Sequence, residues 1–189
     1  IAAFIMEPIL GAGGVIPPHP SFMPGVEAIC RKNGILLIAD EVITAFGRTG
    51  AWTGSRLWGV RPDFSCTAKA ITNAYFPFGA VMISESVAEV FEKDETGKAA
   101  IGHGYTYSGH PVGAAAALAC LAETQRLNVK DNAAARGAEL HQGLLTLQAK
   151  HEVIGDVRGG HGRMCAIELV ADRATKKPAD KAVPATVQS

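Results

Sequence analysis

Apolar residues fall along this chain in short unbroken runs, separated by stretches where they recur every three or four positions. Residues 35–39 (Ile-Leu-Leu-Ile-Ala) are wholly apolar, as expected of a strand covered on both faces in a parallel sheet. Residues 2–6, 63–67, 79–84, 153–157 and 164–170 are also predicted strands. Residues 22–32 place apolar side chains at 22, 23, 26, 29 and 30, a helical spacing that Asn33-Gly34 stops. A helix over 85–92 is expected with Ser84 as its cap, and one over 112–127 opens at Pro111, where the missing N–H costs nothing. Residues 128–150 form a further helix, amphipathic through Leu140, Leu144, Leu145 and Leu147. Gly11-Ala12-Gly13-Gly14, Gly47-Arg48-Thr49-Gly50, 102–109 and Arg158-Gly159-Gly160-His161-Gly162 are expected turns or connectors. Strand and helix alternate, which predicts an α/β fold on a mostly parallel sheet, with a seam near 126–132 and a polar stretch after 171.

Composition narrows the function. With 48% apolar and 19% charged residues the chain is globular, and zero net charge leaves no footprint for nucleic acid or an anionic membrane. Its longest apolar stretch, 112–122, is too short to span a bilayer. Cys30, Cys66, Cys120 and Cys165 are widely spaced, with no CxxC pair and no zinc spacing. Free thiols, no metal and a reducing, cytoplasmic compartment are expected. The chain has no starting Met and ends in a polar tail, so it is expected to be the middle of a longer protein, inactive alone.

The chemistry begins at Asp40, which closes the 35–39 run, and Lys69, which follows the 63–67 strand. A strand ending in a carboxylate and another ending in an amine can aim both at one cofactor. Pyridoxal 5'-phosphate (PLP) needs that pair: a lysine forms a Schiff base with its aldehyde, and a carboxylate keeps its ring nitrogen protonated. Each residue alone has a plainer reading: Asp40 as a helix cap, Lys69 as surface charge, Val42 as core, Thr106 as a loop hydrogen bond, Arg48 as an ion-pair partner. Trp52 and Trp58 read as packing, His103 and His110 as loop supports. A rival reading takes the apolar run and Asp40-Glu41 as the metal-binding strand of a P-loop NTPase. That needs GxxxxGK[ST] upstream, and the Gly-Lys here, Gly97-Lys98, lies downstream. A binding module without catalysis is a third.

Four stretches together settle on a resemblance: Glu7-Pro8 through Pro17-Pro18, Ile38-Ala39-Asp40-Glu41-Val42 through Gly50, Ala68-Lys69-Ala70-Ile71-Thr72, and His103-Gly104-Tyr105-Thr106-Tyr107-Ser108-Gly109-His110-Pro111, with Val157-Arg158-Gly159 downstream. They resemble the class III (ω) aminotransferases, PLP enzymes of fold type I, from residue 1 to about residue 178. The resemblance implies a three-layer αβα large domain, of which 1–128 is part, then a connecting helix and the start of a small α+β C-terminal domain over 129–189. It implies that Lys69 carries the Schiff base in an apolar site favouring its neutral form, that Asp40 pairs with the ring nitrogen, and that Val42 packs on the ring. Thr106 is implied to reach the phosphate of the neighbouring subunit's cofactor, making a homodimer with shared active sites. Glu7 resembles a glutamate near the substrate pocket that pairs, in some members, with a switching arginine. Trp52 and Tyr105 are the other pocket candidates. Small-molecule amines and keto acids are the implied substrates, and the likeness of Thr72-Asn73 and 103–111 to pyruvate-using members points to pyruvate as acceptor. An aminomutase or decarboxylase of the same family would share Lys69 and Asp40. Leu10 and Ala45 depart from the residues common in relatives, glutamine and glycine.

Overall fold

A computed structural model of the chain describes residues 1–180. Strands β1 (Ala3–Met6), β2 (Leu36–Asp40) and β3 (Phe64–Thr67) run parallel, and β4 (Ala80–Ile83) closes the sheet antiparallel to β3, in the order β1-β2-β3-β4. Helix α1 (Phe22–Asn33) is the crossover between β1 and β2. Met23 and Cys30 on α1 pack with Leu37 and Val60 into a core edged by Met6, Val26, Ile35 and Trp58. Gly34, at φ 64, ends α1 where an L side chain would be strained.

The sheet differs from the sequence reading in one respect. Leu37 and Ala39 are fully buried beneath α1, but their neighbour Leu36 is 39% exposed. Period-two alternation sends Leu36, Ile38 and Asp40 to the opposite face, which lacks such a cover among the described residues. Asp63 fixes where β2 and β3 begin. Both its oxygens accept from Arg31 Nη1 at 2.7 Å, and Oδ2 also accepts from Leu37 N–H at 2.7 Å.

Helix α2 (Glu85–Glu92) follows Ser84, but the Ser84 hydroxyl meets the Ser86 hydroxyl at 3.0 Å and makes no capping bond. Helices α3 (Pro111–Arg126) and α4 (Val129–Lys150) meet at Asn128, whose φ of 49 turns the chain. A second, antiparallel sheet follows, in the order β5 (Ile154–His161), β6 (Met164–Asp172), β7 (Lys177–Pro178). Sequence reading placed residues 158–161 in a connector, yet they belong to β5. The register slips between Gly159 and His161, and a Cβ on Gly159 would stand 2.0 Å from the Met164 carbonyl oxygen. The glycines therefore permit close strand approach at a bulge, and the turn itself is Gly162-Arg163. The short β7 lies in the polar stretch where no strand was expected. Residues 181–189, part of the expected second domain, lie outside the described residues.

That hairpin turn docks between α4 and the 48–50 turn. A Cβ on Gly137 would fall 1.7 Å from the Gly162 carbonyl oxygen, and Arg163 N–H donates to the Arg48 carbonyl at 3.0 Å. Arg48 was expected to form an ion pair. Its side chain is exposed and forms none among the described residues; the contact uses its backbone. Among those residues, no helix is long and apolar enough to cross a membrane.

Candidate active site

Ligands of open α/β sheets bind beyond the carboxyl ends of the parallel strands. Here those ends deliver Glu7 after β1, Asp40 on β2 and Lys69 after β3. The pairings Ile5↔Ile38, Ile38↔Phe64 and Asp40↔Cys66 put Asp40 and Cys66 side by side on the open face. Glu7 and Asp40 line one cleft of about 300 Å³ with Ile5, Met6 and Leu10. The Cys66 thiol pKa is pushed up, first by burial and then by the Asp40 charge beside it.

Two adjacent carboxylates have opposite surroundings. Glu41 is fully buried and saturated: Oε2 accepts from Thr44 Oγ1 (2.5 Å) and Gly54 N–H (2.6 Å), and Oε1 from Ser55 N–H (2.8 Å) and Ser55 Oγ (2.6 Å). It fastens the segment after β2 back onto the strand end. Asp40 is half-buried; Oδ1 accepts from Val42 N–H at 3.1 Å, and Oδ2 has no donor among the described residues. Glu41 is thus structural, while Asp40 keeps one oxygen uncommitted among the described residues.

Lys69 opens a 3₁₀ turn (Lys69–Ile71) at φ 48, a left-handed conformation that costs a non-glycine residue about 1–3 kcal/mol. The turn is anchored by buried Thr72, whose hydroxyl donates to the Phe76 carbonyl at 2.7 Å. Among the described residues the Lys69 ammonium has neither hydrogen bond nor ion pair. The expected apolar surroundings are not met there, because Lys69 is exposed beyond the end of the strand. The donor set nevertheless fits PLP: a carboxylate oxygen open to a protonated ring nitrogen, and an uncommitted amine open to an aldehyde.

The other candidates are more scattered. Val42 is half-buried and offers Asp40 its N–H. Trp52 accepts Phe46 N–H through its carbonyl at 2.7 Å and does not line the Asp40 cleft. Tyr105 is 74% exposed, stacks on His103 at 4.3 Å, and edges a larger cavity of about 780 Å³ with Phe64, Cys66 and Val81. Thr106 is exposed and has no hydrogen bond among the described residues. Gly97-Lys98 lies in a turn closed by Asp94, which accepts from Thr96 N–H (2.9 Å) and Ala99 N–H (2.6 Å); no helix starts there to build a phosphate loop. Sequence reasoning missed Glu41 and Cys66. The alternation of β3 could have placed Cys66, but the donors to Glu41 lie up to 14 positions away.

The model of the family described as Aminotransferase class-III matches residues 1–188. The chain is 44% identical over 180 residues to the diaminobutyrate–2-oxoglutarate transaminase of Halomonas elongata, covering 95% of this chain and 38% of that protein. It is 43% identical over 178 residues to the mitochondrial gamma-aminobutyrate transaminase 1 of Oryza sativa subsp. indica, covering 94% and 34%. The crystal structure of an amine transaminase from an uncultivated Pseudomonas species, in its PLP-bound form, superposes with a TM-score of 0.90 at 48% identity, covering 97% of this chain and 41% of that one. The chain thus spans about two fifths of such relatives.

Proposed function

The chain belongs to the class III aminotransferases, a family that uses PLP, and we propose that the protein it helps form moves an amino group from a primary amine or ω-amino acid to a keto acid, with pyruvate as acceptor. The carrying observation is that neighbouring parallel strands end in Asp40, with an oxygen free of donors among the described residues, and lead into Lys69, whose ammonium is uncommitted among them. Relatives named for diaminobutyrate and gamma-aminobutyrate support a donor with an amine at the end of its carbon chain.

When bound, PLP supplies an aldehyde that captures amines and a ring that takes up an electron pair. Asp40 would hold the ring nitrogen, and its charge would keep that nitrogen protonated. Val42 N–H holds Oδ1 and so leaves Oδ2 free for the cofactor, and the Val42 side chain would pack against the bound cofactor. Lys69 would hold the cofactor through its amine and would also be the base that moves the proton of the substrate carbon. Glu7, Trp52 and Tyr105 border the substrate. Thr106 would serve the phosphate of a partner subunit's cofactor, so that two copies would share their sites. Residues 1–128 serve as part of the PLP-binding domain, and 129–189 as the connecting helix and start of the small domain. Four free cysteines accord with the reducing cytoplasm.

Borohydride treatment of the PLP-loaded protein, followed by peptide mass analysis, tests this reading. The cofactor adduct is expected on Lys69; an adduct on another lysine, or none, refutes it.

A further inference from the structure

We propose that Arg158 is a specificity-determining positioning residue: from the second sheet it ties down the turn that holds Glu7, and so fixes a negative charge beside the Asp40 cleft. This rests on the transaminase reading of that cleft. Arg158 lies in β5, 144 positions from its partner, and its Nε–H donates to the Gly14 carbonyl at 3.0 Å. Its Nη1 is gripped by Asp156 Oδ2 at 3.1 Å and by Glu168 Oε2, two carboxylates that orient the guanidinium plane. Gly14 belongs to a tight loop. Gly14 and Val15 N–H both donate to the Gly11 carbonyl at 3.1 Å, and Leu10 and Ile16 exchange backbone bonds at 3.1 and 2.9 Å. At the other end of that loop, Gly11 N–H donates to Glu7 Oε2 at 2.9 Å. Gly11 is seated so closely that a Cβ would meet Ile43 Cδ1 at 2.5 Å, in the segment that follows Asp40.

The chain of contacts therefore runs from Arg158 through Gly14 and Gly11 to Glu7, which lines the cleft with Asp40. A tethered Glu7 is an anion held in place. It disfavours a substrate carboxylate on that side of the cleft and favours an uncharged or cationic group. Without the tie the loop keeps only its own bonds, and Glu7 can turn away.

The test compares butylamine with 4-aminobutyrate, the same carbon chain without and with a carboxylate, as donors to the PLP-loaded protein. Peptide hydrogen exchange over residues 7–16 is followed in parallel. In Arg158→Gln, exchange over that loop should accelerate, and the ratio of kcat/KM for butylamine to that for 4-aminobutyrate should fall about tenfold, the scale of one charge-assisted hydrogen bond. In a Glu7→Gln background the same substitution should leave the ratio unchanged. Should Arg158→Gln fail to fold, Arg158→Lys keeps the charge between Asp156 and Glu168 but lacks the fork that also reaches Gly14, and should act in the same direction. Unaltered exchange, exchange that quickens with no change in the ratio, or an equal fall in the Glu7→Gln background overturns the proposal. If neither amine reacts, the transaminase reading fails, and the exchange arm alone decides whether the tie exists.

Discussion

Replacing Glu41 by glutamine keeps the shape of the side chain but exchanges one oxygen for an amide NH₂. Each Glu41 oxygen now serves one hydroxyl and one backbone N–H. A hydroxyl can rotate to accept from the new NH₂; a backbone N–H cannot. Whichever way the amide turns, either Gly54 or Ser55 loses its acceptor in a site with no solvent access. An orphaned buried N–H costs about 1–3 kcal/mol, and each surviving bond weakens by about 1 kcal/mol when the charge is gone. Relief from burying a charge offsets part of this, leaving a net loss of about 2–4 kcal/mol. At about 2–4 °C per kcal/mol for a protein of this size, Tm should drop by about 4–16 °C. Circular-dichroism melts of the PLP-loaded protein read this directly. Val42 lies between Asp40 and the clamped Thr44, so the variant should also hold the cofactor less tightly. A Tm within about 1 °C of wild type would show that the four contacts contribute almost nothing and refute the reasoning, since even the lower bound predicts more.

Asp40→Asn should retain the cofactor but lose the charge that keeps the ring nitrogen protonated. Turnover should fall by about a thousandfold, and a variant within a few-fold of wild type rules the pairing out. The His161 pKa lies below its ordinary value of 6.5, first because burial disfavours the imidazolium and second because His141 is near. The folded state thus resists a proton that the unfolded chain accepts. Stability from this group is full above about pH 6.5 and is lost as pH falls toward the lower folded pKa. Wild type should therefore lose more Tm than His161→Gln on going from pH 7 to 5; parallel curves would contradict the assignment.

The elements that carry Asp40 and Lys69 were legible because they are local: an apolar run, its closing carboxylate, a second short strand. Pro111 and Gly34 likewise mark helix ends through their own backbone chemistry. What the sequence hid is non-local. Nothing near Glu41 announces that Gly54 and Ser55 will fold back onto it, and nothing near Arg158 points 144 residues upstream. Gly159-Gly160 misled for a related reason. Glycine marks either a turn or a close approach, and only the position of Met164 across the ladder decides between them. The exposure of Leu36 among the described residues was not legible, because hydrophobicity reports what a face can bury, not which residues lie over it.

The placement of Trp58 has an optical consequence. Its indole N–H donates to the Pro8 carbonyl, just past the strand that leads to Glu7, at 3.2 Å, while its ring meets His161 edge-on at 5.1 Å. The chain has two tryptophans, Trp52 and Trp58, and both lie between Asp40 and Lys69. Indole emission therefore comes from the segment that joins β2 to β3 and from nowhere else in the chain; α3 and α4 are dark. Because a protonated imidazole quenches a neighbouring indole, the fluorescence of Trp58 should track the charge on His161. The protein thus carries its own unlabelled probe of the joint between its two sheets.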